Sequence, residues 1–352
     1  MATSITWART CRVGAPVNCP ACFRRLPRFT WGYLAYRLDL DSAFSAEALK
    51  SCPDVASAVA TFNSHLAPEE HLALDAALSA KQQALSMKLD DAGWHEQLQQ
   101  ASILGKATLQ SEACVGARAF LAAVPVGPNR MEPATFVAEL RVRLGIPDAG
   151  HDCWCPRCDG IFDIHTHHAG MCAAGGERTQ RHHALRDLVF AWAEGGGLRP
   201  ERERPGLLLP QSPHDISNSN RRPADVYLPA LAGSPAALDF AVTAPQRQET
   251  LVQASQKGGA AATAYAQHKA TYLQTGQACE VHGVQFIPMV IETTGAWDPA
   301  ATKILKHIAH AFAARTGADL ATALGLLHQE ACVCLRSWRA RAALRRRCEL
   351  HA

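Results

Sequence analysis

From about Ser42 to Gln110 the chain is dominated by Ala, Leu, Gln, Glu and Lys, residues that lose little freedom on entering a helix, and the stretch predicts a helical region. Pro125 to Asn129 interrupts it. Beyond that break Phe136, Val137, Leu140 and Leu144 recur at helical spacing, which predicts one apolar face on a helix that stops at Gly145 and Pro147. From Asp152 the periodicity gives way to Cys, His and Gly, and then Arg178 to Glu194 resumes a helix with Leu185, Leu188, Val189 and Trp192 at i, i+3, i+4 and i+7. Past Gly195 to Gly197 the apolar positions alternate. Short strands are predicted near Leu207, over Asp225 to Leu228 and over Ala237 to Thr243. A long helix from about Gln248 to Leu273 follows, then a buried strand over Val284 to Ile291 and two helices over Ala300 to Arg347, broken near Gly317.

The order defines a mixed α+β chain. It divides into a basic Cys- and Pro-rich segment at 1–40, a helical region at 41–150, a small knot at 151–176, a core of helix, three strands, helix and strand at 177–300, and a basic helical tail at 301–352.

Composition narrows the class. With 352 residues, 48% apolar and 19% charged, the chain can bury a real core, which disfavours wholesale disorder. No run of about 18 apolar residues occurs, which excludes an integral membrane protein. The cysteine count of 13 is odd and crowded between Cys153 and Cys172, which fits metal ligation in a reducing compartment better than a disulfide framework. The net charge of +3 is unevenly spread. Arg9, Arg12, Arg24, Arg25, Arg28 and Arg37 precede the first acid, and Arg336, Arg339, Arg341, Arg345, Arg346 and Arg347 crowd the last helix. A polyanion partner is one reading, and solvated tails are the other. The acid-poor start reads alternatively as an organellar transit segment. Cys19 and Cys22 form a CxxC with no second pair at zinc spacing and are assigned no function.

Cys155 and Cys158 form a second CxxC, followed by His168 and Cys172. Two thiolates on a turn and two further ligands at helical spacing complete a tetrahedral zinc shell, and a closed shell supports the fold rather than catalysis. Cys153, His165 and His167 are rival ligands. Further along, Asp239 alternates with Leu238 and Phe240, so it projects from the face of its strand opposite the apolar set. Asp225 lies near the start of the preceding strand. If the two strands are neighbours, the carboxylates converge as a Mg²⁺ site requires. In the next helix Tyr265, Lys269 and Tyr272 fall at i, i+4 and i+7, which flanks an ammonium with two rings. Taken alone, these three polar residues are ordinary surface groups.

Together the landmarks resemble a known domain. The knuckle, then GERTQRHHALRD from Gly175, RRPADVYLPA from Arg221, ALDFAVTAP from Ala237, YAQHK from Tyr265 and FIPMVIET from Phe286 appear in the order found in the restriction-like endonuclease that ends the polyprotein of site-specific non-LTR retrotransposons of the R2 type. The resemblance covers about 153–300, and Ser111 to Gly145 is similar to the segment preceding that domain. It implies a PD-(D/E)xK nuclease core. Asp225 matches the first aspartate, Asp239 the second acid, and Lys269 a lysine moved from the strand to the following helix, while Ala241 stands where D-x-K places its lysine. Arg178, Arg181 and His182 match the basic motif after the knuckle.

The implied activity is Mg²⁺-dependent nicking of double-stranded DNA in the nucleus, with structured RNA as the alternative partner. Structural zinc would sit on Cys155, Cys158, His168 and Cys172, and catalytic magnesium on Asp225 and Asp239, with Glu203 or Glu177 as candidate additional ligands. Arg178, Arg181, His182, Arg222, Arg345, Arg346 and Arg347 would contact the nucleic acid, chiefly through phosphates. No aromatic-x-Asp-Asp signature of a reverse transcriptase accompanies the domain. A zinc-supported nucleic-acid-binding protein without turnover, from a decayed element, is the rival reading, and a helical interaction protein is a third.

Overall fold

A computed structural model describes residues 53–208 and 221–350. The basic start of the chain, with Cys19 and Cys22, lies outside the described residues. Those residues fall into two compact units divided after Gln100.

The first unit is helical. Helices α1 (Pro53–Asn63), α2 (Leu74–Ser79) and α3 (Gln82–Gln100) gather Phe62, Leu66 and Leu85 into a small core edged by Leu72 and Leu89. The loop between α1 and α2 is closed by Asn63, whose amide nitrogen donates to the Leu72 carbonyl while its amide oxygen accepts from the Leu72 N–H, both at 2.9 Å. A helix-forming composition therefore becomes several short helices, because Pro68 and the Asn63 turn interrupt it.

The second unit begins with α4 (Ile103–Glu112), α5 (Val115–Ala122) and α6 (Pro133–Arg143). These residues, which composition groups with the helices before them, pack in the same unit as the sheet. A two-stranded ribbon, β1 (Cys153–Trp154) and β2 (Ile161–Phe162), leads into the one-turn helix α7 (His167–Met171) and then α8 (Glu177–Gly195). Strands β3 (Glu201–Arg202), β4 (Val226–Leu231), β5 (Ser234–Thr243) and β6 (Gln285–Glu292) form one mixed sheet in the order β3-β4-β5-β6. The first three are antiparallel, and β6 joins β5 in parallel. A parallel neighbour needs a crossover. It is made by α9 (Leu251–Gln256), α10 (Ala260–Thr271) and α11 (Thr275–Val281). Helices α12 (Pro299–Thr316) and α13 (Leu320–Leu350) end the described chain.

Alternation along β5 explains the layering. Leu238 and Phe240 enter the main core with Leu185, Val189 and Trp192 of α8, Leu305 and Ile308 of α12, and Leu327 and Leu335 of α13. On the other face Ala241 packs with Val290 against Ala262 and Ala266 of α10. The sheet thus lies between two helical layers. Pro288 is tolerated in β6 because that strand is an edge, where a missing N–H can face away from the ladder.

Several expectations are corrected. The first strand forms at Glu201–Arg202, while Leu207 and Leu208 are buried in the following loop beside Tyr227 and Cys279. The long helix expected from Gln248 is split into α9 and α10 by Gly258 and Gly259. A Cβ on Gly258 would stand 2.3 Å from the Gln110 carbonyl oxygen, and Gly259 has φ +78°, so close packing on α4 and a left-handed turn both demand glycine. On α6 the buried positions are Thr135, Glu139 and Val142, whereas Phe136, Val137 and Leu144 face outward. The physical reason is charge: Glu139 accepts from Arg336 and Arg339 of α13, and this pairing, rather than the apolar stripe, orients the helix.

Candidate functional site

Two side-chain constellations stand in the second unit. The first is the Cys/His knot. Cys155, Cys158, His168 and Cys172 present ligand atoms that all lie within 4.8 Å of one another. Cys158 Sγ is 3.2 Å from His168 Nε2 and 3.5 Å from Cys172 Sγ. A tetrahedron with bonds of about 2.3 Å has edges near 3.7 Å, so this Cys₃His cluster can bind zinc with little movement. Cys153, His165 and His167 stand outside the cluster.

Local sequence builds the site. The β1–β2 turn carries Cys155 and Cys158, and the Cys155 N–H donates to the Gly160 carbonyl at 2.9 Å. A Cβ on Gly160 would meet His168 Cε1 at 2.5 Å, so a side chain there would push against the ring. Asp163 fixes α7 by accepting the N–H groups of His167 at 3.1 Å and His168 at 2.8 Å. Burial opposes ionisation of this carboxyl, but the His167 ring and those N–H groups outweigh it and draw the pKa down to about 2.

The second constellation is a cleft of about 240 Å³ lined by Arg178, His182, Asp239, Tyr265 and Lys269 with the β5 backbone. Val226 pairs with Leu238 across β4 and β5, so Asp225, one step before the strand, comes opposite Asp239. Lys269 Nζ donates to Asp239 Oδ2 at 2.5 Å. His182 Nε2 lies 3.1 Å from Asp225 Oδ2, which also accepts the Phe240 N–H at 2.7 Å. Two acids and the ammonium therefore meet in one place, with a histidine behind the first acid.

The two carboxyls titrate in opposite directions. Burial pushes Asp239 up to about 6, the Lys269 charge resists, and the adjacent Asp225 adds to the rise. Burial also works against Asp225, yet the His182 hydrogen bond and charge, the Phe240 N–H and Lys269 together hold it below the usual carboxylate range. Like charges at this spacing cannot both ionise freely, and a bound cation would relieve the conflict.

One residue that positions the cleft escaped sequence reasoning. Helix α10 begins after Gly259, which has no side chain to cap it. The buried Glu292, at the end of β6, substitutes: its Oε1 accepts the N–H groups of Ala261 at 3.0 Å and Ala262 at 3.2 Å, and its Oε2 accepts from Ser111. The acid closing FIPMVIE was its only signal. Tyr265 lines the cleft as spacing predicts, but Tyr272 lies beyond the end of α10 and is exposed.

The proposed phosphate contacts separate. Arg178 is exposed at the cleft. Arg181 is buried and donates to the Gly170 carbonyl at 2.9 Å; burial, with Arg339 and Arg178 nearby, pulls its pKa down to about 10. Arg346 is also buried, with its guanidinium on Cys172 and Cys155 and 3.2 Å from the Ala174 carbonyl oxygen. Both guanidiniums, expected to contact nucleic acid, lie in the interior of the described fold. Arg345 pairs with Glu177 at 3.1 Å and Arg347 with Asp148 at 2.9 Å. Arg222 is exposed, 3.4 Å from Glu203, which Arg186 also engages. Glu177 and Glu203 are thus held by arginines. Comparison with models of known protein families and with curated proteins returns no match for this chain.

Proposed function

We propose that the second unit is a restriction-like, Mg²⁺-dependent DNA endonuclease of the retrotransposon type, braced by zinc on Cys155, Cys158, His168 and Cys172. The observation that carries the reading is the juxtaposition of Asp225 with Asp239, which itself lines a cleft beside β5 together with Lys269. Two carboxylates from adjacent strands are the donor set a hard divalent cation prefers when it must also accept water and phosphate oxygens. Magnesium bound there would supply Lewis acidity and a more acidic water.

The remaining work falls to the chain. Asp225 and Asp239 would hold the cation against the β5 backbone. Lys269, now paired with Asp239, carries a positive charge suited to a developing phosphorane or to orienting the attacking water. Arg178 at the rim would neutralise a neighbouring phosphate, a contact that positions the duplex without reading bases. Such an enzyme would act in the nucleus.

Nicking of supercoiled plasmid tests this. The zinc-loaded wild type is expected to nick with Mg²⁺, and Asp225→Ala and Asp239→Ala to lose at least about a hundredfold in rate, the loss of roughly 3 kcal/mol of transition-state stabilisation. Equal background in all three overturns the nuclease reading; retained DNA binding in that case favours a non-catalytic, zinc-supported binding protein.

A further inference from the structure

We infer that His182 is a positioning residue for the cation-binding carboxylate of Asp225, and not a contact to nucleic-acid phosphate. The inference rests on the nuclease reading and deepens it. Arg178, Arg181 and His182 follow one another in a basic run, but the helix sends them to different places. Arg178 reaches the cleft rim, Arg181 turns inward to the Gly170 carbonyl, and His182 points its Nε2 at Asp225 Oδ2, 3.1 Å away.

The backbone of Asp225 is already fixed. Its N–H donates to the Leu238 carbonyl at 2.9 Å, and its carbonyl accepts the Glu203 N–H at 3.2 Å. What remains free is rotation of the carboxylate. The Phe240 N–H and the His182 ring both donate to Oδ2, and two donors on one oxygen set the plane of the group and leave Oδ1 for a cation. A carboxylate acceptor selects the imidazole tautomer with its proton on Nε2. A phosphate approaching that nitrogen would have to displace Asp225 and would meet its negative charge.

Hydrogen bonds behind a metal ligand hold it in its binding orientation, and their removal costs about 10–100-fold in metal affinity. The probe is Mn²⁺, titrated into the zinc-loaded full chain and followed by the electron paramagnetic resonance of the free ion. Asp225→Ala sets the background. His182→Ala is expected to weaken Mn²⁺ binding about tenfold or more, whereas His182→Gln, whose amide can donate from a similar place, stays within about threefold of the wild type. Zinc content and duplex affinity without added divalent metal should match the wild type in both variants.

Unchanged Mn²⁺ affinity in His182→Ala overturns the inference. So does a loss of duplex affinity with a shallower salt dependence, the signature of a phosphate contact. A wild type that nicks plasmid while His182→Ala keeps full Mn²⁺ affinity defeats this inference alone. A wild type that neither nicks nor binds more Mn²⁺ than Asp225→Ala defeats the nuclease reading and this inference with it.

Discussion

Arg336 donates to Glu112 at 2.5 Å and to Glu139 at 3.4 Å, with its own side chain wholly withdrawn from water. Burial alone would drive a guanidinium toward neutrality, but the two carboxylates more than compensate and hold it charged. A buried ion pair is costly to assemble and costlier to halve, because the surviving charge is stranded. Glu139→Gln is therefore expected to cost about 3–5 kcal/mol in urea denaturation, and a loss below about 1 kcal/mol would refute the role given to this pair. The same residue explains a misreading. Amphipathic spacing on α6 favours Phe136, Val137 and Leu144, yet no local pattern announces a counter-charge 200 positions away. His328 makes a different case. Burial lowers its pKa, so its folded-state value lies below that of the unfolded chain. Unfolding then takes up a proton, and the stability His328 confers is complete above the ordinary pKa of about 6.5 and is lost as pH falls through the folded value. His328→Leu should flatten stability against pH as pH falls below about 6.5, by at most about 1.4 kcal/mol per pH unit, and parallel profiles for the two proteins would refute it.

At the scale of elements, the last turns of α13 are bound into the knuckle. Ala342 and Ala343 share a small core with Cys155, Phe162 and Cys172, Arg346 lies on the sulfurs of those two cysteines, and Arg157 pairs with Glu349. A zinc ion on three thiolates and a neutral imidazole would leave one excess negative charge for Arg346 to meet. Stripping the metal should raise amide exchange in the last turns of α13 while its first turns, packed through Leu327 on the sheet layer, stay protected. Uniform protection along the helix would sever this link. Gly160→Ala offers a gentler perturbation: the added methyl collides with the His168 ring, and zinc affinity should fall about tenfold or more in competition with a chromophoric chelator. Unaltered affinity would show that the turn can yield.

Across the whole molecule, what could be read from the sequence was what depends on near neighbours. The alternation around Asp239, the CxxC and HxxxC spacing and the order of elements after residue 178 all express local periodicity, and each appears in the fold. What depends on distant partners was hidden. Arg346 and Arg181 look like solvent-facing charges until Cys155, Cys172 and Gly170 are brought to them. Glu292 looks like the end of a strand until α10 arrives without a cap.

The roof that α12 and α13 lay over the sheet has a practical consequence. The stretch at 153–300 that bears the recognisable landmarks is not a portable module. Cut out alone, it would bare Leu185, Val189, Leu238 and Phe240 to water and strip the knuckle of the helix beneath it. Any transplant of this fold into a different protein has to carry the flanking helices with it, from α4 through α13.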